Sequence, residues 1–511
     1  MKKRWISLII LFLLALPIAA VAQEAEEAAP TGFLPTLNAV FTQLVDWMSA
    51  VLFFDFGLGI PLIVLWLIGG AVFFTIRMGF INFRALKHAF FVIQGHYDDP
   101  EEAGEVSHFQ ALAAALSATV GLGNIAGVAI AISIGGPGAM FWMTVAALFG
   151  MTSKFVECTL AQKYRVVLPD GRIAGGPMYY LSRGLAEKGM GQLGNIMASL
   201  FAILCIGAAF GGGNMFQANQ SFVAVSGLFP ALPNWVFGLV LAFLVSLVII
   251  GGIRRIGNVA GALVPTMCII YVAASLWIIL MNLPEIPAAF GRIFTEAFVP
   301  PVTDEELMIN PQAAWGAFIG VLVQGFRRSA FSNEAGVGSA AIAHAAARTE
   351  EPVREGIVAL LEPFIDTVII CNMTALVVII TGEYANPNTS PGVETTSAAF
   401  ASVIGWFPVV LALAVFLFAF STMISWSYYG ERSWTYLFGE NSMIVYRVIY
   451  VFCVFLGTVL NLGAILDFSD MMFFAMAFPN MLGGFLLADK VRADLDSYML
   501  RLNSGQMPVY K

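Results

Sequence analysis

Between residues 56 and 488 the chain strings together runs of about twenty mainly apolar residues, the length a helix needs to cross a bilayer. Nothing constrains the fold more, because in lipid every backbone N–H and C=O must find its partner inside the protein. Eleven such runs can be counted, near 56–76, 110–134, 138–162, 196–226, 234–251, 258–281, 313–346, 356–381, 407–429, 443–462 and 464–488. Composition agrees: 59% of the 511 residues are hydrophobic and 11% are charged, against about a quarter charged in soluble domains. The expected fold class is an all-α integral membrane protein with eleven transmembrane helices and the lipid bilayer as its solvent.

The basic start MKKRW, the apolar run from Ile6 to Ala19 and the small residues of AVAQ read as a signal peptide or signal anchor over 1–22. Residues 23–55 then form an extracytoplasmic segment, 56–490 the membrane-spanning domain and 491–511 a cytoplasmic tail. Alternating the spans from an outside start leaves most of the 25 Lys and Arg in cytoplasmic loops or the tail. Only Arg292 falls outside, and Lys154, Arg327, Arg328 and Arg447 lie in or at the edges of spans, so the positive-inside rule is obeyed. The expected location is a bacterial-type inner (plasma) membrane, with the mature N-terminus outside and the C-terminus cytoplasmic. A net charge of -8 leaves no nucleic-acid footprint. The five cysteines stand apart with no C-x-x-C spacing, which points to neither a transition-metal site nor disulfides. No pattern in the chain speaks to oligomeric state.

Two of the runs are interrupted. SATVGLGNIAGVAIAI, residues 117–132, puts Gly121, Gly123, Asn124 and Gly127 where an unbroken helix would be more stable. The run near 313–346, too long for one straight crossing, holds Arg327, Arg328, Ser332, Asn333, Glu334, Gly336 and Gly338. Breaks of this kind are tolerated only where protein or a wet cavity surrounds them, and paired in two halves they mark a secondary transporter's site. They fall in the second and seventh spans. Five spans apart, they suggest a five-plus-five inverted repeat, about 108–282 and 311–488, behind one extra N-terminal span. A half-helix N-terminus suits a carboxylate, while freed carbonyls and hydroxyls suit a hard cation. An amino acid with Na+ meets both demands. In FAFSTMISWSYYGERSW, Ser421 and Thr422 offer adjacent hydroxyls and Trp426 follows one turn on. Asn214, Gln217 and Ser221 share one helical face, as helix-to-helix contacts or as part of a site.

The rival readings are weaker. Gly121-x-Gly123-x-x-Ala126 lacks the preceding strand and the acid about twenty residues on that a dinucleotide fold requires, and no P-loop occurs. His88, His96, His108 and His344 are scattered, with no H-E-x-x-H, so no enzyme and no organic cofactor is expected. A channel would line its pore with repeated rings of polar groups. Proton coupling in place of sodium, through Glu334 or Glu157, stays open.

The stretches SHFQALAAALSATVGLGNIAGVAIAISIGGPGAMFWM, GGPMYYL, RRSAFSNEAGVGSA with IAHAAA behind it, and FSTMISWSYYGE resemble the alanine or glycine:cation symporters. The resemblance covers roughly residues 50–490 and implies a leucine-transporter-like fold with discontinuous helices. Carried over by position, it implies that the backbone at Leu122 and Gly123 holds a substrate carboxylate. Gln217, Phe331 and Trp426 would surround a small amino acid, with Ser332 and Asn333 nearby. Na+ would sit between carbonyls near Val120 and the hydroxyls of Ser421 and Thr422, with Asn124 a further candidate. Family members often carry Thr where this chain has Leu122.

Overall fold

The computed structural model describes residues 33–57, 59–299, 313–460 and 463–510. The leader expected over 1–22 and the acidic stretch PPVTDEELMI near 300–310 lie outside the described residues. Among those described, seven helices are long and apolar enough to cross a membrane: Gly138–Lys163, Gly191–Leu228, Gly252–Met281, Pro352–Thr381, Phe407–Phe438, Glu440–Val459 and Asp467–Asn503. His108–Thr119 and Gly123–Gly135, bent by 54° at their junction, make an eighth when taken as one crossing. Leu62–Arg77 and Asn234–Ile249 are apolar but have 16 residues each, about 24 Å of helix against a hydrocarbon core of about 30 Å.

The helices sort their residues as lipid requires. Asn234–Ile249 turns Leu239, Val240, Phe243 and Leu247 outward and buries Leu241, Ala242, Val245 and Val248. Some inner segments bury runs of small residues, as at Ala113–Ala115 and Ala345–Ala347, which lets backbones approach closely. A two-stranded hairpin, Val166–Val167 against Ile173–Ala174, interrupts the helical pattern at a turn through Asp170 and Gly171.

The last helix, Ala477–Asn503, has 27 residues and runs well past the expected start of the tail at 491. Its end is tied down: Arg501 donates to Glu351 at 2.8 Å, and Tyr510 donates from its backbone to His96 and from its hydroxyl to Asp99. The loop at 96–99, the start of Pro352–Ala359 and the tail therefore share one face, the C-terminal face. The five cysteines are free and dispersed.

Candidate substrate and cation site

The first break begins with a well-capped helix. Ser107 and Gln110 exchange side-chain and backbone hydrogen bonds in a capping box that opens His108–Thr119. Val120 turns extended, and the chain resumes as a wide turn, Gly123–Gly127, before Val128–Gly135. The N–H freed at Gly121 is taken by the Asn124 carboxamide oxygen at 2.8 Å. Asn124 Nδ2 in turn donates to an Asp366 carboxylate oxygen at 2.6 Å. Asn124 thus works as a brace across the break.

At the second break, Ala313–Asn333 ends where Glu334 adopts φ +56° and Gly336 and Gly338 adopt φ +85° and +93°. The helix restarts at Ala340. Asn333 braces this turn by accepting the Ala335 N–H at 3.0 Å, and donates to Ser329 and Thr367. Ser332 donates to Asp366 at 2.8 Å. One buried carboxylate therefore holds both breaks, and they touch: a Cβ placed on Gly123 would stand 3.2 Å from Ser332 Cα.

Leu122, Gly123, Gln217, Phe331, Glu334 and Trp426 line one cavity. Its volume of about 40 Å³ holds about three waters, taking 10–15 Å³ for one. A substrate of that size has few side-chain atoms. Gln217 donates to Gly212 O at 3.0 Å, and its carboxamide oxygen is buried without a partner. Trp426 Nε1 donates to Glu334 Oε1 at 3.1 Å, and Ser339 donates to the other oxygen of that carboxylate. In the cavity wall, Phe331 and Trp426 pack against Phe473 with ring centroids 5.5 and 6.0 Å apart. Beyond them Arg327 lies over the Phe53 ring, 4.6 Å from its centroid.

Ser421 and Thr422 face the front of the first break. Ser421 Oγ reaches Ser117 O at 3.2 Å, and Thr422 Oγ1 reaches Ala118 O at 3.4 Å. Both hydroxyls also donate to Phe418 O within their own helix. A Cβ on Gly121 would come within 2.8 Å of Thr422 Oγ1. Neutral hard oxygens converge here from two helices, a donor set that fits a monovalent cation. Val120 lies in the same break, with its N–H donating to Leu116 O.

Of the three polar residues on the Gly191–Leu228 crossing, Gln217 faces the cavity while Asn214 donates to Tyr450 O. Ser221 is buried with no partner for its hydroxyl. Sequence reasoning passed over Asp366, Asp470 and Phe473, although Asp470 and Phe473 line the cavity. For the two aspartates the available signal was an acid inside an apolar run, which is costly at membrane depth without a role. The four histidines read as scattered, yet His108 and His344 converge on Glu355. Pairs so far apart in the chain leave no spacing to read.

A bundle in which two interrupted helices meet around one small cavity has an architecture of the leucine-transporter type. The crystal structure of MhsT in complex with L-phenylalanine has the same fold, with a TM-score of 0.50 and 14% identity, covering 75% of this chain and 89% of that one. The chain belongs to the sodium:alanine symporter family, whose model matches residues 38–511. The sodium/alanine symporter AgcS of Methanococcus maripaludis is 41% identical over 441 residues, 86% of this chain and 94% of that protein. The probable sodium/glutamine symporter GlnT of Bacillus subtilis is 34% identical over 451 residues, 88% and 90% of the two chains. The protein is accordingly a membrane transporter and not an enzyme.

Proposed function

We propose that this protein imports a small neutral amino acid, alanine or glycine, together with Na+ by alternating access. The observation that carries the reading is the contact between Gly123 and Ser332 beside a cavity with room for about three waters. Backbone N–H groups near Leu122 and Gly123 receive the carboxylate, with Ser332 and Asn333 shaping the opposite wall. Gln217 offers its unpartnered oxygen to the ammonium group, and Phe331 and Trp426 exclude long side chains. Na+ binds between the carbonyls of the first break around Val120 and the hydroxyls of Ser421 and Thr422, with Asn124 fixing the backbone that presents those carbonyls. Bound Na+ orders the break and so raises affinity for the amino acid, which by linkage raises affinity for Na+. A membrane potential of 100 mV adds about 2.3 kcal/mol per inward charge.

The full reading keeps eleven spans, with Leu62–Arg77 as the extra one and the repeats over 108–282 and 311–488. It puts the C-terminal face in the cytoplasm of a plasma membrane, the leader at 1–22 outside the transport unit, and no organic cofactor in the site. The name of the GlnT relative raises glutamine as a substrate, and the cavity volume favours the smaller amino acids.

Uptake of labelled alanine and glycine into proteoliposomes tests this directly. An inward Na+ gradient should drive accumulation, K+ or choline should not replace it at fixed pH, and preloaded alanine should accelerate exchange. Accumulation driven equally by a proton gradient in the absence of Na+ would replace sodium by protons. Flux without exchange acceleration would make the protein a channel.

A further inference from the structure

Between Leu62–Arg77 and the loop at 96–99 two short helices follow one another, Ile81–Arg84 and Leu86–Ile93, parted by Ala85 alone. Their outward residues recur at the three- and four-residue spacing of a single helical face: Phe80, Phe83, Arg84, Lys87, Phe90 and Phe91. The opposite face, with Ile81, Ala85, Ala89 and Val92, is buried. Protein holds that inner side. Leu86–Ile93 packs against Pro352–Ala359, and the His88 ring meets the Tyr498 hydroxyl at 2.7 Å. The outer side is left open, with Phe83 60% exposed.

Four phenyl rings beside two cations, with no acid among them, suit neither bulk solvent. A stripe of open rings is disfavoured in water, and an arginine with a lysine is costly in hydrocarbon. The boundary between headgroups and acyl chains accepts both. The pattern of ion pairs then says which headgroups fit. On the neighbouring last helix each of three basic residues has a carboxylate of its own: Lys490 meets Glu187, Arg492 meets Asp496 and Arg501 meets Glu351. Arg84 and Lys87 have none among the described residues. Arg84 donates to Gly79 O at 3.2 Å, and Lys87 lies over the Phe91 ring, 5.8 Å from its centroid. A Cβ on Gly79 would stand 3.1 Å from Arg492 Nη1 and 3.2 Å from Arg84 Nη1, so two guanidinium groups come side by side at the start of the stripe. The acids of the next loop begin only at Asp98, beyond its end.

From this arrangement we propose that the stripe from Phe80 to Phe91 is a binding surface for anionic phospholipid in the leaflet at the C-terminal face. The four rings enter the boundary of headgroups and acyl chains to a depth of about 5–10 Å. Lys87 and the Arg84 donors that Gly79 leaves free hold lipid phosphates. Two observations carry the assignment to lipid. The cations lack a counter-charge in the chain, and a surface of anionic phosphates supplies one. The stripe also continues the lipid-facing side of Leu62–Arg77, where Phe73 and Ile76 are turned outward just ahead of it. A second copy of the chain docked here about a two-fold axis would set like charges against like. The surface requires only that the chain spans a bilayer, so it goes beyond the import reading and is independent of substrate and coupling ion.

The test uses the full chain in phosphatidylcholine vesicles, with a bimane fluorophore on Phe83→Cys and the labelling of the five native cysteines subtracted. Quenching is compared for trace phosphatidylglycerol and trace phosphatidylcholine carrying the same nitroxide high on the acyl chain. Phosphatidylglycerol should quench about fivefold more strongly or better, since one basic residue near an anionic surface is worth about that factor. At Phe243→Cys, on the lipid-facing side of Asn234–Ile249, the two lipids should quench alike. Replacing both cations, Arg84→Gln with Lys87→Gln, should bring the Phe83→Cys ratio down to the Phe243→Cys value, whereas Arg84→Lys with Lys87→Arg should preserve it. About 1 M salt, which shortens the screening length to about 3 Å, should lower the ratio with no change of sequence. Equal ratios at the two positions overturn the anionic preference. A fluorophore on Phe83→Cys that neither lipid quenches overturns the surface altogether, and disulfide cross-linking of two chains through that cysteine would then assign the stripe to a second copy. Na+-driven uptake is measured apart from the ratio, so either reading can fail while the other stands.

Discussion

At Gly123 a hydrogen atom stands where any other residue would push a carbon against the Ser332 backbone. Gly127, four residues on in the same wide turn, has nothing within 4 Å of its corresponding position. The pair makes an internal control. Gly123→Ala should weaken alanine binding about tenfold or more, because overpacking of a tight site costs about 1–3 kcal/mol and about 1.4 kcal/mol is a decade. Gly127→Ala should leave the dissociation constant unchanged, and binding of labelled alanine to detergent-solubilised protein measures both. An equal loss in the two variants would mean that the break tolerates no methyl anywhere. The glycines and Asn124 were legible in the sequence because each is expensive inside an apolar run. Their partner Asp366 was not, since it lies 242 residues from Asn124 and belongs to a different crossing.

Among the elements, the existence of long apolar helices was readable, whereas their local widenings were not. The wide turns at Gly211–Met215 and Phe364–Cys371 sit inside otherwise regular crossings. Hydrophobic periodicity alone does not register one extra residue in a turn. The short helix Leu86–Ile93 on the C-terminal face carries His88, whose ring is 2.7 Å from the Tyr498 hydroxyl on the last helix. Burial, and then the charge of Arg354, lower its pKa from 6.5 to about 4. The folded protein keeps this imidazole neutral where the unfolded chain would protonate it. Its contribution is therefore complete above about pH 6.5 and declines as the pH falls toward about 4. The thermal unfolding midpoint should drop across that interval, and His88→Gln, which cannot take up the proton, should flatten the drop. A midpoint with the same slope in both proteins would show that the docking of Leu86–Ile93 does not depend on His88.

For the whole molecule, composition and run length were enough to read a helical membrane bundle, because lipid admits little else. The number of crossings was harder to read: a run of apolar residues does not reveal where the helix within it begins and ends, and Leu62–Arg77 and Asn234–Ile249 come out shorter than their runs. The cavity itself was not legible as a unit, being built from residues of several separate segments. The cavity wall gathers the rings of Phe331, Phe473 and Trp426 in edge-on and tilted contact. Apolar association weakens on cooling, and these rings meet one another through apolar contact. Chilling should therefore loosen this aromatic wall, readable as faster labelling of a cavity cysteine relative to an exposed one. A cavity walled in this way carries a thermometer in its own lining.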